Sequence, residues 1–226
     1  ALSFTVAPGL TSLTVSDAYA QKGKDKKPKR KTRKAKVLSK KAFEALTKAQ
    51  EAMEIEDYVT AAKMLDVLLN AKRSSDYERA LALQTYAYIF SAKEDYVQAA
   101  RYFERTLATG GLEEGQARSA LYNLAQLYLA VGNIDRGIRK LEEWFVGAEN
   151  PTPDAYVLLA NAYAQKEAYK RAIPLVEKAI SISTEPKERW YQLLMALYYE
   201  EKQYPEVAGV LEIMVSKWPV QKRYWM

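Results

Sequence analysis

Residues 156–176 read YVLLANAYAQKEAYKRAIPLV. Tyr156, Leu159, Ala160 and Tyr163 stand at offsets 0, 3, 4 and 7, which is one stripe along a helix. After a short polar break a second stripe opens with Tyr169, Ala172 and Val176. The stretch therefore predicts two amphipathic helices joined by a tight turn, each carrying one small residue where the other must come close.

The same pattern recurs on both sides of this stretch. The second-helix stripe appears as Tyr58-Ala61-Leu65, Tyr96-Ala99-Phe103, Ile134-Gly137-Leu141 and Tyr204-Val207-Leu211, with leading residues 38, 38, 35 and 35 apart along the chain. The first-helix stripe appears as Leu83-Tyr86-Ala87-Phe90, Leu121-Leu124-Ala125-Tyr128 and Tyr191-Leu194-Met195-Tyr198. A looser version, Phe43, Leu46, Ala49 and Met53, opens the series, as expected of a terminal unit. Lys93-Glu94-Asp95 and Gly132-Asn133 read as turns inside repeats, and Pro151, Pro153, Pro186 and Pro219 as joints between them. Pro205 falls in a first helical turn, where no amide partner is lost, and Pro174 lies deeper and predicts a slight kink.

This pattern resembles the tetratricopeptide repeat, a helix-turn-helix unit of about 34 residues. The resemblance covers residues 42–219 and implies an all-α fold: a right-handed solenoid of about five repeats, the first helix of each pair lining a concave face. Two departures stand out. No Trp opens a complete repeat, and the first two linkers carry extra residues around Ala71–Asp76 and Gly110–Gly115. Tyr224-Trp225-Met226 reads as the opening of a sixth first helix, so residues 42–226 form the expected solenoid region. On this fold the positions between the stripes face the groove. They are Gln84, Tyr88 and Ser91; Tyr122, Asn123, Gln126 and Leu129; Val157, Leu158, Asn161 and Gln165; and Gln192, Leu193 and Tyr199. The partner-binding set expected from them is Gln84, Tyr88, Tyr122, Asn123, Gln126, Asn161, Gln165, Gln192 and Tyr199. It is rich in amides and phenols and lacks the lysines and arginines of family members that clamp an acidic C-terminal peptide. An extended backbone or an amphipathic segment suits such a surface.

Composition excludes much chemistry. The chain has 226 residues, 49% of them hydrophobic, and contains no cysteine and no histidine. Disulfides, thiol nucleophiles, Cys/His zinc sites and histidine bases are absent by composition. No glycine-rich phosphate loop occurs. The acidic doublets Glu56-Asp57, Glu94-Asp95, Glu113-Glu114, Glu142-Glu143 and Glu200-Glu201 recur at helix ends, where solvation and helix N-termini explain them. No catalytic residue, metal site or cofactor is expected, and the chain reads as a non-enzymatic scaffold.

The net charge of +6 hides a sharp asymmetry. Residues 22–41 hold twelve Lys and Arg against one acid, Asp25, whereas residues 42–226 hold 22 bases and 26 acids. Residues 21–41 are expected to form a solvated, flexible tether that buries nothing. Its open readings are a plain linker, an attraction to anionic membrane surface through residues 22–41, or a nucleic-acid patch; the last is disfavoured because no aromatic residue interrupts the run. Residues 1–20, ALSFTVAPGLTSLTVSDAYA, are apolar and small and close on Ala18-Tyr19-Ala20, the small-x-small form of a signal-peptidase site. They are expected to be the remnant of a secretory signal, cleaved before Gln21; the alternative is a poorly ordered apolar N-terminal segment of a cytosolic protein.

Four longer stretches go beyond the generic repeat: SSDYERALALQTYAYIFSAKEDYVQAARYFERTL, ALYNLAQLYLAVGNIDRGIRKLEEWF, ENPTPDAYVLLANAYAQKEAYKRAIPLVEKAI and ERWYQLLMALYYEEKQYPEVAGVLEIMVSKWP. Together they resemble periplasmic tetratricopeptide proteins of Gram-negative TonB–ExbB–ExbD gene clusters. That resemblance implies an accessory role in TonB-dependent transport, with TonB-system or other envelope components as partners. A general envelope-assembly adaptor and a cytosolic adaptor whose basic segment binds nucleic acid are the alternatives.

Overall fold

The computed structural model describes residues 36–219. The expected signal remnant at 1–20, residues 21–35 of the basic segment and Tyr224-Trp225-Met226 lie outside the described residues. Among the described residues ten helices and no strand are found: α1 Lys40–Glu54, α2 Tyr58–Leu69, α3 Asp76–Ala92, α4 Tyr96–Ala108, α5 Glu114–Ala130, α6 Ile134–Gly147, α7 Pro153–Gln165, α8 Tyr169–Ile182, α9 Glu188–Glu200 and α10 Tyr204–Lys217. None is long and apolar enough to cross a membrane. The chain divides into two compact units at Gly132/Asn133, with α1–α5 in the first and α6–α10 in the second.

Every even-numbered helix begins on the residue that opens the second stripe: Tyr58, Tyr96, Ile134, Tyr169 and Tyr204. Two residues ahead of each sits a left-handed backbone position. Glu56, Glu94, Gly132, Glu167 and Lys202 have φ of 59°, 58°, 77°, 56° and 57°. A left-handed residue directly after a helix reverses the chain within a few residues, which lets the second helix fold back on the first. The acidic doublets divide the work at this turn. Glu56 and Glu94 take the left-handed position, while the Asp57 and Asp95 carboxylates accept the amides of Thr60 and Gln98 at 3.0 Å and cap the following helix.

The small stripe residues are buried as their spacing requires. In the first unit Ala80, Ala87, Ala99, Phe103, Ala120 and Leu124 share one core cluster with Leu112, and Ala42, Ala49, Ala61, Leu65, Tyr77 and Tyr86 share another. In the second unit Leu141, Ala160, Tyr163, Ala172, Val176, Trp190 and Met214 are buried. Full burial of a side chain such as Phe103 or Leu124 contributes about 1.5–3 kcal/mol. Helix α8 runs continuously from Tyr169 to Ile182 with Pro174 inside it.

A second periodicity ties each odd helix to the even helix before it. The Tyr86 hydroxyl donates to Asp66 at 2.7 Å, Tyr163 to Glu142 at 2.5 Å and Tyr198 to Glu177 at 2.5 Å, and Tyr128 donates to Glu104. The four acids stand eight residues after the leading residue of their helix, and Tyr128, Tyr163 and Tyr198 six residues before the next leading residue. Tyr86 reaches its acid from one turn earlier, because Phe90 holds the equivalent position. Burial and the adjoining carboxylate push the phenols of Tyr86, Tyr163 and Tyr198 well above their ordinary range.

The basic segment is not a free tether as far as Lys41. Leu38 is 7% exposed and joins the core of α1–α3, and Lys40 and Lys41 already belong to α1. The Ser39 hydroxyl caps α1 by accepting the Ala42 amide. Lys36 donates to the carbonyls of Gly110, Gly111 and Leu112, the last at 2.5 Å. The Ser39 and Ser75 amides donate to the two oxygens of the buried Glu78 carboxylate at 2.9 and 2.8 Å, so one side chain joins the starts of α1 and α3. Charge counting misses this, because one apolar residue and one serine at the end of a cationic run suffice to start a helix. The two linkers expected to carry extra residues, 70–75 and 109–113, have six and five residues against five each in 148–152 and 183–187; the extra length lies in α3 and α5, 17 residues each against 13 in α7 and α9. Both linkers serve this docking: Ser75 ends the first, and Gly110–Leu112 lie in the second.

Candidate partner-binding faces

In the first unit the expected binding residues lie on α3 and α5, and the structure brings several of them together. The Gln84 amide donates to the Tyr88 hydroxyl at 3.2 Å, and Asn123 hydrogen-bonds the same hydroxyl from α5. The Tyr88 ring meets Phe103 edge-on, with centroids 5.5 Å apart. Burial raises the Tyr88 pKa, and the hydrogen bonds from Gln84 and Asn123 offset this only in part. The phenol is therefore neutral at any ordinary pH. Tyr122 and Gln126 are half-buried on the same stretch of α5.

Gln84 departs from the expectation. It is 2% exposed and presents no surface to a partner. It sits on the same stripe as Ala80 and Ala87, both fully buried, and such small neighbours let adjoining elements close over it. Leu129 and Val157, expected on the groove, are buried for a similar reason: each lies within one helical turn of a fully buried alanine, Ala125 or Ala160. Gln84 is thus a positioning residue for Tyr88.

In the second unit the expected residues lie on α7 and α9. Asn161 and Leu158 are half-buried, and Gln165 is exposed at the end of α7. On α9, the Gln192 amide donates to Glu188 at 2.8 Å, Leu193 is half-buried, and Tyr199 is 61% exposed. Tyr199 packs edge-on against Tyr204, with centroids 6.1 Å apart. The starts of the two helices are tied by Lys187, which donates to both Asp154 oxygens at 2.8 and 2.9 Å.

Each unit thus presents amides and phenols on its odd-numbered helices, and none of the expected residues carries a charge. These faces suit hydrogen bonding to a peptide backbone and contact with apolar side chains. Among the described residues no three acidic side chains converge as metal ligands would. Sequence reading missed the supporting frame: the Glu78 bridge and the tyrosine–carboxylate pairs, whose acids looked like solvation at helix surfaces.

No curated protein matches the sequence. Solved structures match the fold. A MamA protein superposes with a TM-score of 0.66 at 16% identity, over 84% of this chain and 98% of its own. A tetratricopeptide repeat protein of Parabacteroides merdae ATCC 43184 gives 0.64 at 18% identity, over 83% of this chain and 70% of its own. YrrB, a tetratricopeptide protein with an unusual peptide-binding site, gives 0.65 at 16% identity, over 81% and 90%. The tetratricopeptide repeat family model matches residues 155–189, the span from α7 into α9. The chain therefore carries a tetratricopeptide repeat and has the all-α fold of tetratricopeptide repeat proteins.

Proposed function

We propose that this chain is a periplasmic scaffold that holds peptide or protein segments on the odd-numbered helices of each unit, as an accessory of TonB-dependent transport. The observation that carries the binding reading is that each unit offers uncharged, at least partly accessible side chains on its odd-numbered helices, Tyr122 and Gln126 in the first and Asn161 and Tyr199 in the second. Rigid aromatic area with amide hydrogen bonding is the mix that anchors a peptide. The peptide-binding site of YrrB, on a similar fold, supports the same reading. The envelope assignment is supported by Ala18-Tyr19-Ala20 and by the resemblance to proteins of TonB–ExbB–ExbD clusters.

The purified periplasmic parts of TonB and ExbD are the probes. At least one should bind the chain, and Tyr122→Ala combined with Asn161→Ala should lose most of that affinity while keeping its helical content. Failure of both to bind sends the reading to a general envelope-assembly adaptor. Mass spectrometry of the protein from its native host should find Gln21 leading; residues 1–20 retained on a soluble cytosolic protein would end the periplasmic assignment.

A further inference from the structure

We infer that the first unit reads the backbone of an extended, uncharged peptide segment through the hydroxyl of Tyr88; this deepens the peptide-holding reading above and rests on it. Gln84 and Asn123 both donate to that hydroxyl oxygen, the first from one turn earlier on α3 and the second from α5. Two donors fill the oxygen's accepting side, so the O–H is the group that remains, and among the described residues it has no acceptor. The ring is held as well, because Phe103 meets it edge-on at 5.5 Å. Gln84 is the informative member. An amide 2% exposed must keep a hydrogen bond, whereas an apolar side chain of similar size would fill the same space with nothing to satisfy. Its one evident task is to fix the direction of a half-buried phenol. Asn123 contributes in two ways. Its amide nitrogen is engaged by Tyr88, which leaves its side-chain carbonyl oxygen beside the phenol as an acceptor. One donor next to one acceptor is what the C=O and N–H of a peptide backbone require.

Three features define the ligand. Gln126, half-buried one turn along α5 from Asn123, has no hydrogen-bond partner among the described residues. Side chains so placed on a helix start about 5–6 Å apart, and two residues of extended chain cover about 6.6 Å, so a second peptide unit comes within reach of the Gln126 amide. Burial and the two amides alone set the state of the phenol, and no charged side chain acts on it. A carboxylate therefore gains nothing here over a neutral carbonyl. A helical ligand has its backbone groups bonded within itself, which leaves an extended strand as the form that can pair. The second unit lacks this network: Val157, Asn161 and Leu193 hold the positions equivalent to Gln84, Tyr88 and Asn123.

The probes are peptides selected from a displayed library of random linear sequences with the full chain as bait. Each is then remade with one backbone amide at a time replaced by an ester, which removes the N–H and weakens the carbonyl as an acceptor. Tyr88→Phe keeps the ring and should weaken binding by roughly three- to tenfold, the loss of one neutral hydrogen bond. One ester position should weaken binding to the parent chain by a similar factor and leave binding to Tyr88→Phe unchanged. Peptides that bind the parent chain and Tyr88→Phe equally overturn this inference and leave the scaffold reading standing. A loss on Tyr88→Phe that no ester position shares means the phenol meets a side chain, and it overturns the inference too, as does a bound peptide with a helical circular dichroism spectrum. Should Tyr88→Phe fail to fold, the ester scan on the parent chain decides alone, and the absence of a sensitive position is the overturning result. Selection of no peptide at all ends both this inference and the peptide-holding reading beneath it.

Discussion

Glutamate in a left-handed conformation is an expensive choice, and this chain makes it at three of its five turns. For an L-residue that conformation costs roughly 1–2 kcal/mol, which glycine avoids at some loss of unfolded-state entropy. Glu94→Gly should accordingly stabilise the protein by about 0.5–1 kcal/mol, and Gly132→Ala should cost a similar amount. Urea titration of both variants checks the pair; movement in the same direction would mean the turn is not under this strain. Glu78 is the opposite case, a buried carboxylate that is costly to remove. Burial raises its pKa, but hydrogen bonds from Ser39 and Ser75 outweigh burial and hold it below the usual 4.5. The folded protein therefore binds that proton more weakly than the unfolded chain does. The stabilisation is complete above about pH 4.5 and is lost as pH falls through the folded value. Glu78→Gln should cost about 1.5–3 kcal/mol at neutral pH and flatten the acid side of the stability profile. An acid side as steep as in the parent protein would place the titration elsewhere.

At the level of helices, the sequence revealed the core and concealed the joints. Leading residues such as Tyr58 and Tyr169 mark helix starts because they open a 3.6-residue stripe, and periodicity exposes such positions directly. The tyrosine–carboxylate pairs stayed hidden, since each joins residues 20 to 24 apart in the chain and the acid alone looks like ordinary surface charge. Gln84 was misplaced because a helical wheel gives direction but not how closely a neighbour approaches. Tyr163→Phe removes one joint and keeps the ring, so it should cost about 1.5–3 kcal/mol, the range for a hydrogen bond to a charged group. Because the folded phenols hold their protons more tightly, the stability they add is complete below about pH 10 and fades above it. Tyr163→Phe should make the alkaline loss shallower, as thermal melts at high pH would reveal. Packing is tested separately: Ala87→Leu, at a fully buried position, should cost about 1–3 kcal/mol, and Gln165→Ala, on an exposed one, no more than about 0.5 kcal/mol. Equal shifts in melting temperature would mean the register is wrong.

Across the molecule, the change of repeat spacing from 38 to 35 residues follows the division into units and comes from α3 and α5, 17 residues each against 13 in α7 and α9. The linkers of the first unit, residues 70–75 and 109–113, have a use. They supply Ser75 beside Glu78 and the Gly110–Leu112 carbonyls around Lys36. Gly111 shows how tightly that linker fits: a Cβ there would come within 2.0 Å of the Asp76 carbonyl oxygen. For a protease the anchored segment has a simple meaning. Trypsin needs several residues in extended form on both sides of a lysine or arginine, and the cations up to Arg30 stand clear of the first anchored residue, Lys36. Digestion should trim the chain from its N-terminus and halt short of Lys36, leaving a core that keeps Leu38 and Ser39. Lys40 and Lys41, exposed yet helical, should survive uncut until the unit itself opens.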